Sequence, residues 1–329
     1  MQKIPSPVQM AASLLAEDEV VAIPTETVYG LAANLYSPKA VAKIFELKNR
    51  PHTNPLIVHV ANLQDALPLV QEIPAALLQL AHNFWPGPLT LLLKKSKRVP
   101  KTVTAGSDRV AIRVPNHPLT LELLKSINFP VVAPSANPYT RISPTHEKHV
   151  RAYFGNKIPY ILEGGPCQVG LESTIVGVEN ERIILYRKGV ISKEIIEQLA
   201  GSVIDYIPSK SVTPTPGLAP RHYAPDTETM LCEREKIISE YEQGAAVLIF
   251  STVIPDIPIE DQFVLSANGS LEEAAKQLYD LLHEIDHANY KRIICEELPE
   301  EGAGYAINDR LRRASCKKNK DTKNLRYVV

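Results

Sequence analysis

Apolar and polar residues alternate in short blocks along the first 200 positions, a pattern that predicts helices and strands in turn. Ser6, Pro7 and Gln9 predict an N-cap, a first-turn proline and a capping box, so a helix is expected over about residues 7–17. A second helix is expected to begin at Ser37-Pro38. The alternation continues through Glu19–Ile23, Leu56–Val60, Asp65–Leu69, Ala75–Asn83, Leu89–Lys94, Val110–Val114, Leu119–Ser126, Val131–Ala133, Ile175–Val178, Ile183–Tyr186 and about 192–200. Together these blocks predict one large α/β unit.

A proline-rich stretch between about residues 202 and 226 interrupts this pattern. Its prolines are Pro208, Pro214, Pro216, Pro220 and Pro225. Because proline fixes φ and lacks a backbone donor, an extended, semi-rigid connector is expected here. Further elements follow over Ala245–Phe250, Phe263–Leu265, Leu271–His287, Arg292–Glu296 and Gly304–Ser315. We therefore predict a large domain over 1–205, a connector over 206–228 and a smaller α/β domain over 229–329.

The overall charge is nearly balanced, with 36 Lys plus Arg against 37 Asp plus Glu in 329 residues. A net charge of −1 gives no global attraction to nucleic acid or to an anionic membrane, so such contacts need a local patch. No apolar run approaches the ~18 residues of a membrane span, and the N-terminus lacks a signal-peptide pattern. The four cysteines form no Cys-x-x-Cys pair: Cys167, Cys232, Cys295 and Cys316. A cytoplasmic protein with reduced thiols and no zinc ribbon is expected.

Proline is abundant and glycine scarce, with 27 prolines and 15 glycines in the chain. Proline thus makes up about 8% of the residues against a usual ~5%. Neither the Gly-x-x-x-x-Gly-Lys-[Ser/Thr] phosphate loop nor the Gly-x-Gly-x-x-Gly dinucleotide fingerprint occurs. If a nucleotide binds, side-chain cations and proline-shaped loops must hold it.

Three polar segments follow predicted elements, and ligands of open α/β sheets bind beyond the carboxyl ends of strands. Segment 24–31, Pro-Thr-Glu-Thr-Val-Tyr-Gly-Leu, offers two hydroxyls and a carboxylate, although such residues also form plain helix-entry turns. Lys48 and Arg50 flank a proline-fixed bend and could clamp a polyphosphate, whereas a helix C-terminal dipole would explain Lys48 alone. Segment 133–138, Ala-Pro-Ser-Ala-Asn-Pro, lets a ligand approach the backbone, with a plain turn as the alternative. Arg113, near the end of a strand, needs an anionic partner if it points inward.

One motif indicates different chemistry, because His-Glu-Ile-Asp-His at 283–287 fits the His-Glu-x-x-His pattern of zinc proteases. Three apolar residues of the predicted helix share its buried face, which puts His283 and His287 on the opposite, solvated face. We interpret the motif as a charged surface face and expect no metal ligands there. His146 and His149 are likewise expected to be loop residues.

Seven motifs stand in one order along the chain. They are Pro-Thr-Glu-Thr-Val-Tyr-Gly-Leu at 24–31, Lys-x-Arg-Pro at 48–51, Asn-Pro-Leu at 54–56, Pro-Ser-Ala-Asn at 134–137, Glu-Ser-Thr-Ile-Val at 172–176, Arg-Lys-Gly at 187–189 and Arg-His-Tyr-Ala-Pro at 221–225. Together they closely resemble the YrdC-like threonylcarbamoyl-AMP synthase family, in its longer form with an appended C-terminal domain. The resemblance implies a large open, twisted mixed sheet with helices, and a second, smaller Rossmann-like α/β domain.

The resemblance also implies an activity, the ATP-dependent activation of L-threonine with bicarbonate to give L-threonylcarbamoyl-AMP and pyrophosphate. The expected partners are these substrates, a downstream tRNA-modifying threonylcarbamoyl transferase, and tRNA modified at adenosine 37. Mg²⁺ is expected on the pyrophosphate leaving group, with phosphates rather than side chains supplying most of its ligands. No membrane partner is expected.

Site residues carry over from the family motif by motif. The resemblance implies that Lys48 and Arg50 hold the phosphates and are the catalytic cations. Further nucleotide contacts are implied for Asn54, Ser135, Asn137, Ser143, Arg187 and Tyr223. Threonine contacts are implied for Thr27, His59, Arg113 and Ser173, with Arg113 paired with the carboxylate. Asn49 stands where the family usually carries glycine, and asparagine tolerates the left-handed backbone that glycine would supply there.

Two other functions stay open at this stage. A non-catalytic protein that binds double-stranded RNA or tRNA would use the concave basic surface that the resemblance implies, without releasing pyrophosphate. Carbamoyl transfer in hydrogenase maturation uses a related domain, but the Cys-x-x-Cys pairs expected in such proteins are absent. The connector, with Arg221 and Tyr223, is expected to lie over the site as a lid.

Overall fold

The computed structural model describes residues 4–207 and 215–317, and their strands form a ten-stranded mixed sheet and a four-stranded parallel sheet. The larger sheet contains β1 (Val21–Ile23), β2 (Gly30–Asn34), β3 (Ile57–His59), β4 (Leu89–Lys94), β5 (Arg109–Arg113), β6 (Val131–Val132), β7 (Tyr160–Ile161), β8 (Thr174–Glu179), β9 (Arg182–Arg187) and β10 (Val203–Asp205). The smaller sheet contains β11 (Glu228–Cys232), β12 (Ala245–Ile249), β13 (Gln262–Val264) and β14 (Arg292–Glu296). The strand orders are β10-β9-β8-β4-β5-β3-β6-β2-β1-β7 and β11-β14-β12-β13.

Helices cover these sheets. They are α1 (Pro7–Ala16), α2 (Pro38–Lys48), α3 (Leu63–Ala66), α4 (Ala75–Phe84), α5 (Pro118–Ser126), α6 (Glu147–Phe154), α7 (Lys193–Ala200), α8 (Ile237–Glu240), α9 (Leu271–His287) and α10 (Gly304–Ala314). The predicted architecture of a large mixed sheet and a smaller α/β unit is confirmed. Pro208 and Pro214 of the predicted connector lie outside the described residues. Among the described residues, each helix is too short or too polar to span a lipid bilayer.

Consecutive strand residues bury opposite faces of the larger sheet, since side chains alternate along a strand. In β1, Ala22 joins the apolar cluster under α2 and α4, whereas Val21 and Ile23 join the cluster under α1 and α5. In β3 and β5, Ile57 and Ala111 point to this second face but belong to a separate cluster. The candidate site lies over this part of the second face.

Local sequence signals set the start of several helices. The Ser6 hydroxyl accepts a hydrogen bond from the Gln9 amide, and the Gln9 side chain accepts one from the Ser6 amide, which completes the predicted capping box. The Ser37 hydroxyl accepts a bond from the Ala40 amide at 3.1 Å and begins α2. Asn49 ends α2 with φ 49°, so the predicted left-handed residue is confirmed.

Some predictions of local structure were wrong. Segment 24–31 is not the helix-entry turn that was its alternative interpretation, because Gly30–Asn34 forms β2 and pairs antiparallel with β1. His149 is not in a loop but in α6, and its ring is buried. Short strands that the sequence did not predict are β7, β10 and β11. β7 and β11 pair with strands distant in sequence, and β10 pairs in parallel with the preceding strand β9.

The face of α9 that carries His283 packs against the large unit. The predicted solvated position of His283 is therefore wrong. Its side chain is only 3% exposed, its ring stacks on His149 with centroids 3.9 Å apart, and Nε2 lies 3.2 Å from the Ser143 carbonyl oxygen. A Cβ on Gly170 would come within 2.5 Å of the Ala275 carbonyl oxygen, so the contact leaves no space for a side chain there. His287 is exposed, as predicted. The sequence could not show that α9 packs against the large unit as well as within its own.

Burial of His283 predicts acid sensitivity of the folded state. Burial, together with the neighbouring His149, lowers the pKa of His283 to about 2. The unfolded chain binds a proton at this residue below pH 6.5 and the folded chain does not, so stability falls as the pH drops below that value. We expect the free energy of unfolding, measured by urea denaturation at pH 7.5 and 5.5, to fall by roughly 1 kcal/mol less in His283→Gln than in the wild type.

His287→Gln is the matched control, because this exposed ring belongs to the same helix. It should show the full wild-type drop. An unchanged drop in His283→Gln would contradict the prediction.

Candidate active site

A pocket over the second face of the larger sheet gathers the predicted segments. Seven of the twelve predicted site residues line it, namely Thr27, Arg50, His59, Arg113, Ser135, Arg187 and Tyr223. The other five stand one layer behind the wall, each hydrogen-bonded to a lining residue, namely Lys48, Asn54, Asn137, Ser143 and Ser173. Every predicted site residue therefore lies in the wall of this pocket or directly behind it.

The pocket extends across the sheet face and not only along one edge. His59, Arg113 and Arg187 are the last residues of β3, β5 and β9, so the predicted position beyond strand ends holds for them. Gly30 and Ser135 come from the other side, where β2 begins and β6 has ended. A ligand that touches both groups lies over the open part of the sheet.

Arg113 finds its anionic partner in segment 24–31. Its Nη2 lies 2.7 Å from Glu26 Oε1, and Nη1 donates to Thr27 Oγ1 at 2.8 Å. Thr25 Oγ1 lies 2.9 Å from Thr27 Oγ1, so the two hydroxyls and the guanidinium form one connected network. Glu26 was not among the predicted site residues, although its motif was recognised. Its pairing across 87 positions has no local signal.

Arg50 is oriented by the loop that follows it. Nη2 donates to Asn54 Oδ1 and to the Pro55 carbonyl oxygen, both at 2.7 Å, and the guanidinium carbon lies 6.0 Å from the Tyr139 ring centre. The predicted role of Asn54 in shaping this loop agrees with that geometry. Burial lowers the pKa of Arg50 to about 10, against the opposite influence of Tyr139 and Tyr223.

Lys48 is turned towards the backbone of the Pro-Ser-Ala-Asn loop. Its Nζ donates to the Ser135 carbonyl oxygen at 2.6 Å and to that of Asn137. Burial, and then Arg50, lower the pKa of this amine well below its usual value. The Asn137 amide donates within its own loop, to Pro138 and Arg141 carbonyl oxygens. The predicted contacts of Lys48 and Asn137 with the nucleotide remain predictions.

Arg187 binds the start of β8. Its Nε donates to the Ser173 carbonyl oxygen and its Nη2 to the Ser173 hydroxyl, both at 3.0 Å. That hydroxyl also lies 2.7 Å from Thr90 Oγ1. Ser173 therefore serves in this structure to hold Arg187 at the wall.

His59 supplies a neutral acceptor between the charged groups. Burial, and then the charge of Arg113, lower its pKa to about 3. Its Nδ1 lies 3.3 Å from the Ile57 carbonyl oxygen, which assigns the ring hydrogen to Nδ1. Nε2 is left as an acceptor at neutral pH.

Residues of the predicted connector close one side of the pocket. Tyr223 is 1% exposed and has φ 58°, and His222 beside it also lines the pocket. A Cβ on Gly217 would come within 2.6 Å of Tyr223 Oη and 3.0 Å of Arg187 Cδ. His222, Gly217 and the buried Glu172 were not predicted as site residues, although His222 and Glu172 lie inside two of the recognised motifs.

The pocket favours an anionic ligand. Three guanidinium groups line it, whereas Glu172 is the carboxylate among the lining residues and Glu26 is paired behind them. Arginine side chains suit phosphate and carboxylate groups because they donate in a planar fork. Within the described residues, no group of three or more His, Cys, Asp or Glu side chains could hold a metal ion.

Comparison with known proteins assigns a family to this arrangement. A family described as "Telomere recombination" matches residues 13–189, and one described as "Threonylcarbamoyl-AMP synthase, C-terminal domain" matches residues 191–316. The threonylcarbamoyl-AMP synthase of Pyrococcus abyssi is 38% identical over 94% of both chains. That of Bacillus subtilis is 40% identical over 94% of this chain and 92% of its own.

A solved structure supports the same assignment. The crystal structure of Pyrococcus abyssi Sua5 complexed with L-threonine has a TM-score of 0.87 and 37% identity. It covers 95% of this chain and 96% of its own, so the agreement extends over both sheets. The resemblance seen in the seven motifs is thereby confirmed, and the chain belongs to the threonylcarbamoyl-AMP synthase family, in the long form that carries a C-terminal domain.

Proposed function

We propose that this chain joins L-threonine, bicarbonate and ATP to give L-threonylcarbamoyl-AMP and pyrophosphate. The observation that carries the proposal is that one pocket is lined by two chemically different sets of residues, called here the phosphate side and the amino-acid side. Arg50 and Arg187 suit a polyphosphate, whereas Thr27, His59 and Arg113 suit a small hydroxy amino acid. Both sides open onto the same space, as transfer between the two substrates requires.

On the phosphate side, Arg50 neutralises charge on the triphosphate and Arg187 reaches the nucleotide. Ser135 offers a hydroxyl at the wall, and Lys48 fixes the loop that carries it through the Ser135 carbonyl oxygen. In this proposal Asn54, Asn137 and Ser143 support the wall around the nucleotide. Tyr223 covers the ligand from the connector.

On the amino-acid side, Arg113 pairs with the threonine carboxylate while Glu26 keeps its guanidinium in place. Nε2 of His59 accepts a hydrogen bond from the substrate hydroxyl or amine. Thr27 completes the polar lining, and Ser173 supports it from one layer behind the wall. The buried setting strengthens each of these contacts, since little water competes for them.

The chemical step needs positioning more than acid–base chemistry. The threonine amine and bicarbonate form a carbamate with loss of water, and a carbamate oxygen then attacks the α-phosphorus. The bond from that phosphorus to the bridging oxygen of the β-phosphate breaks, and pyrophosphate leaves with the electron pair. A carbamate is a weak nucleophile, so in-line alignment and neutralisation of phosphate charge supply most of the rate. A pocket covered by Tyr223 also protects the mixed anhydride from hydrolysis.

Mg²⁺ would arrive with the triphosphate and neutralise the departing pyrophosphate. The two carboxylates near the pocket are already paired with arginines, Glu26 with Arg113 and Glu172 with Arg310. This pairing agrees with a metal held mainly by phosphate oxygens. In this proposal the side chains orient the phosphates, and phosphate oxygens supply most of the metal ligands.

We further propose that the product serves a tRNA-modifying threonylcarbamoyl transferase that acts on adenosine 37. A cytoplasmic location follows from those partners and agrees with four cysteines that form no disulfide. The division into a catalytic domain over 1–205, a connector over 206–228 and a C-terminal domain over 229–329 is part of the same proposal, and the connector acts as a lid. A non-catalytic RNA-binding protein would bind RNA with steep salt dependence and release no pyrophosphate.

Arg50→Ala tests the phosphate side. We expect pyrophosphate release to fall on the order of 10²-fold, because a fixed cation is lost where charge accumulates in the transition state. Arg50→Lys keeps the charge but lacks the planar guanidinium group. Its rate of pyrophosphate release should therefore lie between those of the wild type and Arg50→Ala. Pyrophosphate is measured with ATP, L-threonine and bicarbonate together and with each omitted in turn.

Arg98→Ala is the control, since this arginine is exposed and lies outside the pocket. It should keep wild-type turnover. Wild-type turnover in Arg50→Ala would contradict its role, and pyrophosphate release without L-threonine would contradict the reaction.

Gly217→Ala tests the connector as a lid. The new methyl group would lie within 2.6 Å of Tyr223 Oη and 3.0 Å of Arg187 Cδ, so the connector and the pocket wall have to shift relative to each other. We expect the KM for ATP to rise roughly 10-fold or more, because small displacements at a reacting site are costly. Steady-state kinetics at saturating L-threonine and bicarbonate give the KM.

Gly201→Ala is the matched control for backbone strain. Its φ of +93° is close to the +90° of Gly217, but a Cβ there meets no atom within 4 Å. Both variants place an alanine at a positive φ, which residues with a side chain rarely adopt, so both carry a backbone cost. Equal KM values for the two would show that the connector does not shape the pocket.

A further inference from the structure

Arg310 of α10 is a buried cation of the C-terminal unit that no step above uses. Its side chain is 1% exposed. Nε donates to Glu172 Oε2 at 3.0 Å, Nη1 donates to Asp309 Oδ2 at 3.0 Å, and the guanidinium carbon lies 5.0 Å from the centre of the Tyr223 ring. Withdrawing a guanidinium from water is costly unless such partners compensate. Two of these partners, Glu172 and Tyr223, line the pocket.

Glu172 is where three parts of the chain meet. Its Oε1 accepts a bond from the Ser143 hydroxyl at 2.5 Å, and its Oε2 accepts bonds from Arg310 and from Tyr279 Oη at 3.0 Å. Burial alone would raise the pKa of Glu172, but the charges of Arg310 and Arg187 and the Ser143 bond hold it below its usual value. The carboxylate is therefore ionised, and Arg310 is the cation bonded to it.

The next residue carries this contact into the proposed phosphate side. Ser173 follows Glu172 directly and accepts two hydrogen bonds from Arg187. A shift of Glu172 would therefore displace the group that holds Arg187. Arg310 is thus connected through Glu172 and Ser173 to Arg187, which is proposed to contact the nucleotide.

The same helix also holds the connector. Arg313 Nη1 donates to the Ala219 carbonyl oxygen at 2.9 Å, and Arg221 donates to the carbonyl oxygens of Ala314 and Cys316 at the end of α10. The backbone before Tyr223 is thus tied to α10, and the ring of Tyr223 packs on Arg310. Both pocket-lining partners of Arg310 are consequently positioned by the C-terminal unit.

We infer that Arg310 is a positioning residue of the reaction: it fixes Glu172 and Tyr223 at the pocket, so that the C-terminal unit completes the nucleotide site. This inference rests on the proposed function. Loss of Arg310 leaves the buried Glu172 carboxylate without its bonded cation, and Tyr223 without the cation against its ring.

The test is Arg310→Met, which keeps an apolar side chain of similar length. We expect the KM for ATP to rise about 10-fold or more at a temperature at which circular dichroism shows the variant to be folded. Backbone amides of residues 222–224 should exchange hydrogen faster than in the wild type, measured by mass spectrometry on the free protein. A merely structural role would lower the melting temperature and the active fraction but leave the KM and the local exchange unchanged.

Arg312→Met is the matched control on the same helix, because this arginine is half exposed and paired with Glu297 and Glu300. It should keep the wild-type KM and exchange. Arg310→Lys restores the charge and should recover part of the KM. An unchanged KM and exchange in Arg310→Met, or equal effects of Arg312→Met, would overturn the inference.

A double-mutant cycle identifies the route. If Arg310 acts through Glu172, then Arg310→Met with Glu172→Gln should lower kcat/KM by less than the product of the two single effects. Independent, multiplicative effects would overturn that route. If the wild type releases no pyrophosphate, the proposed function fails, and the exchange comparison still decides whether Arg310 positions the connector.

Discussion

Positive charge withdrawn from water is the constraint on which this site depends. Lys48, Arg50 and Arg113 are each no more than 6% exposed, and a buried cation must find oxygen atoms within the protein. Each finds them in a different loop: backbone carbonyls after β6 for Lys48, the Asn54-Pro55 turn for Arg50, and Glu26 for Arg113. The loops around the pocket are therefore shaped as much by the cations as by any ligand.

Local signals in the sequence were enough for much of the fold. Helix starts at Ser6 and Ser37 were predicted because the cap lies within three residues of the amide it binds. Strand β2 was missed because Gly30–Asn34 contains no β-branched residue and is held by pairing with β1 and β6. Elements of this kind depend on partners that the local pattern does not reveal.

The same division explains what could be predicted of the site. Motifs marked the loops, since proline and small polar residues after a strand are visible in the sequence. The pairs that organise those loops were not visible, because Glu26 and Arg113 lie 87 positions apart and Glu172 and Arg310 lie 138 apart. The predicted exposure of His283 was wrong for a related reason. The periodicity of α9 identified one buried face, whereas the face with His283 is buried by a distant part of the chain.

The scarcity of glycine and the excess of proline follow from how this pocket is charged. A glycine cradle binds phosphate with backbone amides and can adapt to its ligand, whereas side-chain cations act best when their supports are already in place. Prolines at 51, 55, 134 and 138 restrict the loops that hold Lys48 and Arg50 before any ligand binds. Because those loops are stiff, they cannot adjust to a displacement elsewhere in the pocket wall, and such a displacement changes the fit of the ligand. The part of the wall formed by Glu172 and Tyr223 is held in addition by α10, through the contacts of Arg310 with both residues.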